Sequence, residues 1–157
     1  MVKNIKNVFI SHYGKDDEQI FNLKDLLAKN GYELRNSSID STKSNEASNS
    51  DYIRRLLRDG IQWAGTTIVL IGPKTHTREW VDWEIKESQL QGNRIVGIYI
   101  QDATDANIPE NLAKYGDALV GWQSDRIIDA IEGQYNNMEK PNGSPWENPY
   151  NPNRSNC

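Results

Sequence analysis

Two short apolar runs constrain the fold of this chain more than any other feature. They read Thr66-Thr67-Ile68-Val69-Leu70-Ile71 and Ile95-Val96-Gly97-Ile98-Tyr99-Ile100. A strand with one solvent-facing side alternates polar and apolar residues, whereas a strand covered on both sides is apolar at odd and even positions alike. These runs therefore predict the central strands of a sheet that carries helices on both faces.

The remaining elements alternate with these strands. Helices are predicted near 17–30, 50–60, 80–91 and 111–114, and a last helix is predicted with Asp125 as its N-cap. Further strands are predicted at 7–10, 32–35 and 118–120. Strands that alternate with helices form a parallel sheet, because each connection crosses one face of it. The predicted fold is α/β, a flavodoxin-like five-stranded parallel sheet in the order 2-1-3-4-5 with helices on both faces. It occupies residues 1–137, and residues 138–157, rich in Pro, Asn and Gly, are predicted to be an irregular C-terminal tail.

Charge and composition argue against several classes of function. The net charge is −4 and the basic residues are scattered, which argues against a nucleic-acid partner. Cys157 is the single cysteine, and His12 and His76 show no metal-ligand spacing, so no metal site is predicted. The apolar runs are of strand length and no signal-peptide pattern is present, so we expect a cytoplasmic protein without a membrane partner.

Glu84 is the residue that points most directly to chemistry. At about 100° per residue, Val81, Ile85 and Ser88 define the inward face of its helix. Glu84 lies roughly 60° from the centre of that face, on the side that carries Trp80 one turn earlier. Burying a carboxylate there costs several kcal/mol unless it is paired or used by a site. From the residues alone, a salt-bridged surface glutamate and a functional carboxylate both remain possible.

The predicted topology brings Glu84 to a crevice. In this strand order the ligand crevice opens between the first and third strands, outside their carboxyl ends. Ser11, His12 and Tyr13 follow the first strand, while Trp80 and Glu84 lie in the helix that leaves the third. We expect the first three residues to line the crevice and to contact a substrate. The phosphate-binding patterns of P-loop, dinucleotide-binding and flavodoxin proteins do not occur in the sequence.

A lone carboxylate beside an aromatic ring suits cleavage of an N-glycosidic bond. The transition state resembles a sugar oxocarbenium ion, which a carboxylate can stabilise or bind transiently. When the leaving group is the nicotinamide of NAD, its nitrogen is already cationic and departs neutral. A single glutamate can then suffice, because no general acid is required.

Three segments match a known family. The chain resembles bacterial Toll/interleukin-1 receptor (TIR) domains, and most closely the TIR subunits of Thoeris anti-phage systems, over roughly residues 5–135. The matching segments are Asn7-Val8-Phe9-Ile10-Ser11-His12, Ile68-Val69-Leu70-Ile71-Gly72 and Trp80-Val81-Asp82-Trp83-Glu84-Ile85, the last with a W-x-x-x-E signature. Residues 1–137 are thus expected to be a TIR-like domain.

The resemblance implies a function as well as a fold. It implies that Glu84 is the catalytic carboxylate of an NAD glycohydrolase or ADP-ribosyl cyclase, with Trp80 as a stacking residue. NAD is then a substrate and no cofactor is expected. The product would be ADP-ribose or a cyclic isomer that signals to a downstream effector. The loop at 37–49 lacks the Pro-Gly pattern usual in the family, so no site residue is assigned there.

Two other functions remain open at this point. One is a non-enzymatic TIR adapter, and the other is an enzyme of the nucleoside deoxyribosyltransferase kind. Trp83 and Leu90 are predicted to lie opposite the inward face of their helix, which suggests a contact surface and possible self-association. Cover by the C-terminal tail, through Trp146 and Tyr150, would explain the same stripe.

Overall fold

The elements of the fold follow the predicted alternation of strands and helices. A computed structural model of the protein describes residues 7–11, 17–30, 50–72, 79–100, 103–104 and 107–147, with the backbone alone at 17–20, 50–53 and 79–80. In chain order the described elements are β1 (Val8–Ser11), α1 (Asp17–Lys29), α2 (Ser50–Trp63), β2 (Thr66–Ile71), α3 (Glu79–Leu90), β3 (Arg94–Tyr99), α4 (Glu110–Tyr115), β4 (Ala118–Val120) and α5 (Ser124–Glu132). Within these ranges, no helix combines the length and the apolar character that crossing a membrane requires.

The sheet is parallel throughout its described part. Its strands lie in the order β1-β2-β3-β4, and Ser11 pairs with Val69 while Val96 pairs with both Ile68 and Ala118. The α/β class with a parallel sheet is thereby confirmed. The predicted second strand at 32–35 and the loop at 37–49 lie outside the described residues, so the five-strand order 2-1-3-4-5 stays a prediction.

The sheet is covered on both faces, as the two apolar runs predict. Every residue of β2 is buried, and so are five of the six residues of β3. Because successive strand residues point to opposite faces, each strand contributes apolar residues to the core on both faces of the sheet. One face packs on α1 and α5 and includes Val8, Ile10, Leu23, Leu27, Ile68, Leu70, Ile127 and Ile131. The other packs on α2, α3 and α4 and includes Phe9, Leu57, Ile61, Val69, Ile71, Val81, Ile85 and Leu112.

Three local predictions need correction. The helix predicted to end at Gly60 continues through it to Trp63. Asp125 does not cap the last helix: α5 begins at Ser124 with Gln123 as its N-cap residue, and Asp125 lies in the first turn. Leu90 is 68% exposed, but Trp83 is half-buried and packs on the cluster formed by Phe9, Leu57, Ile61 and Ala64. The predicted exposed stripe fails at Trp83 because α2 lies beside α3 and covers that indole.

The segment after α5 extends the sheet beyond β4. Leu119 N–H donates to Asn137 O at 3.1 Å, and Glu139 N–H donates to Leu119 O at 2.9 Å. Glu139 also bridges to Pro145, and Trp146 packs against the apolar cluster beneath α3 and α4. The segment thus covers the free backbone edge of β4, which would otherwise be open to pairing. The domain boundary predicted after residue 137 stays a prediction, and Tyr150 lies outside the described residues.

Candidate active site

Ser11 brings a hydroxyl to the carboxyl end of β1. It is the last residue of that strand, two positions after Phe9, and so shares the face of the sheet on which Phe9 packs under α2. The residue is fully buried. Ser11 therefore lies at the edge of the sheet where ligands bind in open parallel α/β folds.

Glu84 meets this hydroxyl from α3. The helix starts at Glu79, and its predicted inward residues Val81, Ile85 and Ser88 are all buried. Glu84 is itself only 5% exposed, and Ser11 Oγ donates a hydrogen bond to Glu84 Oε1 at 2.8 Å. Two of the predicted site residues, 73 positions apart in the chain, are thus in direct contact.

The other predicted site residues are located only in part. The backbone of Trp80 lies in the first turn of α3, one turn before Glu84, and its side chain is outside the described residues. His12 and Tyr13 lie outside them altogether. Their roles stay predictions.

One turn after Glu84, Ser88 makes a second buried polar contact on the inner face of α3. Ser88 Oγ donates to Glu84 O at 2.8 Å and lies 2.7 Å from Thr67 Oγ1 of β2. Asn93 Nδ2 donates to the same Thr67 Oγ1 at 3.4 Å and to Ile61 O of α2 at 2.8 Å. The main chain at Glu84 is thereby tied to the central sheet through hydroxyl groups. The sequence predicts Ser88 as inward-facing but not this bond, since the register between a helix and a strand is a tertiary property.

The outer side of α3 contacts its two neighbouring helices. Arg58 Nε donates to Glu87 Oε1 at 2.8 Å, which joins α2 to α3. Asn111 N–H donates to Asp82 Oδ1 at 3.2 Å, which joins α4 to α3. These contacts do not involve the Glu84 carboxylate. They hold the helix against α2 and α4 while its inner face carries the candidate site.

The arrangement can place a negative charge where little water reaches. Moving an ionised carboxylate out of water is costly unless it is hydrogen-bonded, and a hydrogen bond to a charged group contributes about 1.5–3 kcal/mol. The Ser11 hydroxyl supplies such a bond. In the part of the chain that the structure describes, no group of three or more His, Cys, Asp and Glu side chains could hold a metal ion. The described part of the site thus combines a buried carboxylate, Glu84, with a buried hydroxyl donor, Ser11.

Solved structures share this fold at low identity. The TIR domain of the Toll-related receptor TRR-2 from Hydra magnipapillata is similar with a TM-score of 0.54 at 17% identity, over 80% of this chain and 92% of that chain. A 2-deoxyribosyltransferase from Bacillus psychrosaccharolyticus is similar with a TM-score of 0.53 at 12% identity, over 72% of this chain and 84% of that chain. At such identities the similarity shows the fold alone.

Sequence comparison is more specific. A protein of Bacillus cereus (strain MSX-D12), provisionally named as the cyclic ADP-D-ribose synthase ThsB1, is 42% identical over 53 residues, which are 34% of this chain and 28% of that protein. The profile of the family described as "Thoeris protein ThsB, TIR-like domain" matches residues 9–105, a range that contains both Ser11 and Glu84. Because this match covers more than half of the 157 residues, the chain belongs to the Thoeris ThsB family of TIR-like domains.

Proposed function

We propose that the protein cleaves the nicotinamide–ribose bond of NAD, with Glu84 as its catalytic carboxylate. The observation that carries this proposal is the near-complete burial of Glu84 and its hydrogen bond to Ser11 at the carboxyl end of β1. Membership of the Thoeris TIR-like family supports an NAD-processing role. The name of the Bacillus cereus relative supports it further, although the aligned segment is 28% of that protein's length.

The chemistry follows from charge. As the bond between the ribose anomeric carbon and the pyridinium nitrogen breaks, its electron pair stays on nitrogen, so nicotinamide leaves as a neutral molecule. Positive charge then develops on the ribose, and the Glu84 carboxylate stabilises it or adds to the anomeric carbon. Water would complete the reaction to ADP-ribose, whereas a nucleophile within the same molecule would close a ring.

The remaining predicted residues would shape the substrate pocket. Trp80 would stack on nicotinamide or adenine, and His12 and Tyr13 would line the crevice after β1. How well these groups exclude water would decide between a linear and a cyclic product. The product would act as a signal in anti-phage defence that a downstream effector senses. Self-association of the domain is a further part of this proposal.

The test identifies substrate and product together. The full chain is incubated with NAD, with and without extract from phage-infected cells as the trigger, and the mixture is separated by chromatography with mass analysis. We expect free nicotinamide together with ADP-ribose or an isomer of cyclic ADP-ribose. Glu84→Gln should abolish both. NAD that stays intact under both conditions would contradict the proposal.

Two parallel assays separate the other functions. Deoxynucleosides offered in place of NAD would be processed by a deoxyribosyltransferase, and we expect them to remain unchanged. An adapter would retain phage protection in cells that carry Glu84→Gln, whereas an NAD-cleaving enzyme would lose it. Glu87→Gln removes a charge from the outer side of the same helix and serves as the matched control wherever Glu84→Gln is tested.

A further inference from the structure

Ser11 is more deeply buried than a substrate-binding residue should be. Its exposed fraction is 0%, and that of Glu84 is 5%. A hydroxyl carries a single proton, and the proton of Ser11 is directed at Glu84 Oε1 over 2.8 Å. A substrate in the crevice would find neither an accessible Ser11 surface nor a free hydroxyl proton.

The same bond constrains the carboxylate. The last torsion of a glutamate side chain is broad and roughly two-fold, so an unrestrained carboxylate samples many orientations. A donor fixed on the end of β1 holds Oε1 toward the sheet and thereby sets the plane of the carboxylate. The main chain is held as well, since Ser88 Oγ donates to Glu84 O and contacts Thr67 of β2. Both ends of the Glu84 residue are thus tied to neighbouring strands.

We propose that Ser11 is a positioning residue for Glu84 and does not bind substrate. This inference rests on the proposed function, because it concerns the carboxylate assigned there. A group held in advance where positive charge develops stabilises the transition state without reorganising during the reaction. The hydroxyl also favours the ionised carboxylate, because it donates to the charged form.

The pH dependence of NAD cleavage distinguishes this role from a structural one. Glu84 has to be ionised to stabilise a cation, so the rate should rise with pH as the carboxylate loses its proton. Removing a donor to the charged form raises the pKa of a carboxyl group. In Ser11→Ala the acid limb of the kcat profile should therefore move to higher pH. At neutral pH, kcat should fall about ten- to a hundredfold, with KM changed less than about threefold.

Two further variants complete the test. Ser11→Cys keeps a small side chain with a weaker donor, so its acid limb should shift in the same direction by less, and it carries the test should Ser11→Ala fail to fold. Thr66→Val removes another buried hydroxyl at the amino end of β2, and its acid limb should stay at the wild-type pH.

The results for the Ser11 variants test the positioning role separately from the proposed function, which the Glu84→Gln variant tests. A folded Ser11→Ala or Ser11→Cys protein with the wild-type acid limb would overturn the positioning role. So would a rise in KM at constant kcat, because that result would make Ser11 a substrate-binding residue. If Glu84→Gln itself cleaved NAD at the wild-type rate, the proposed function would fail first.

Discussion

Removing Arg126 should destabilise the fold through a carboxylate remote from the candidate site. Glu139 lies in the segment that pairs with β4, and its side chain is only 5% exposed, while that of Arg126 is 37% exposed. Arg126 Nη1 and the Tyr135 hydroxyl both donate to Glu139 Oε2. The other oxygen, Glu139 Oε1, is buried without a hydrogen-bond partner. In Arg126→Met this carboxylate would keep one neutral donor and lose its counter-charge.

The loss of stability expected for Arg126→Met lies between the values for surface ion pairs and for buried ion pairs. Exposed ion pairs contribute about 0–1 kcal/mol, whereas removing one partner of a fully buried pair costs about 3–5 kcal/mol. Because Glu139 is buried and Arg126 is partly exposed, we expect a loss of about 2–3 kcal/mol in the free energy of unfolding. For a domain of this size that loss corresponds to a fall of roughly 5–10 °C in Tm.

The assay is urea and thermal unfolding of four proteins, followed by circular dichroism. They are the wild type, Arg126→Met, Glu139→Gln and the double variant, and the cycle isolates the energy of the pair. Lys140→Met, at the exposed neighbour of Glu139, is the matched control for loss of a cation. NAD cleavage per folded molecule should be unchanged, since Ser11 and Glu84 lie at the β1 side of the sheet. A loss below about 0.5 kcal/mol, or no coupling in the cycle, would refute this account.

Two further substitutions test other contacts beside β4, one through the ionisation of Tyr135 and one through steric overlap at Gly97. Burial, followed by the hydrogen bond and charge of Glu139, raises the pKa of Tyr135 from 10.0 to about 12. The resulting stabilisation is complete below pH 10 and disappears as the pH rises through 12. Between pH 10 and 12 the free energy of unfolding of the wild type should therefore fall relative to that of Tyr135→Phe. The expected fall is about 1 kcal/mol, after allowance for solvent screening of a half-buried ring. Urea unfolding of both proteins at several pH values measures it, and a difference between them that stays constant with pH would contradict the prediction. A Cβ at Gly97 would meet Leu119 Cδ1 at 2.7 Å, so Gly97→Ala should cost about 1–3 kcal/mol in urea unfolding. Gly65→Ala, whose Cβ meets nothing within 4 Å, should cost clearly less, and equal losses would show that steric overlap is not the cause.

The predictable parts of this fold are those encoded in local periodicity. Apolar residues at both parities predict β2 and β3, and the helical spacing of Val81, Ile85 and Ser88 predicts the buried face of α3. Glu84 is located on the flank of that face by the same spacing. Its proximity to Ser11 follows from the topology, because the crevice of a parallel sheet collects the ends of neighbouring strands. The bond between the two side chains does not follow, since it depends on how α3 is set against β1.

Contacts between different elements could not be predicted, because the periodicity of one element does not show which elements pack beside it. Trp83 is half-buried because α2 packs beside α3, and nothing within the pattern of α3 reveals that neighbour. Pairing of Met138 with Leu119 joins a Pro-, Asn- and Gly-rich segment to the sheet, although its composition favours irregular structure. The burial of Glu139 likewise requires Arg126 and Tyr135, which only the tertiary fold brings together.

The most direct test of the central claim is the rate of nicotinamide release from NAD by three proteins at equal concentration and with verified folding. They are the wild type, Glu84→Gln and Glu87→Gln, whose altered residues lie on the same helix. If Glu84 is the catalytic carboxylate, its amide variant should release nicotinamide at least about a thousandfold more slowly than the wild type. Glu87→Gln should stay within about threefold of the wild type, because Glu87 contacts Arg58 on the outer side of the helix. A folded Glu84→Gln protein that matches the wild-type rate would contradict the account.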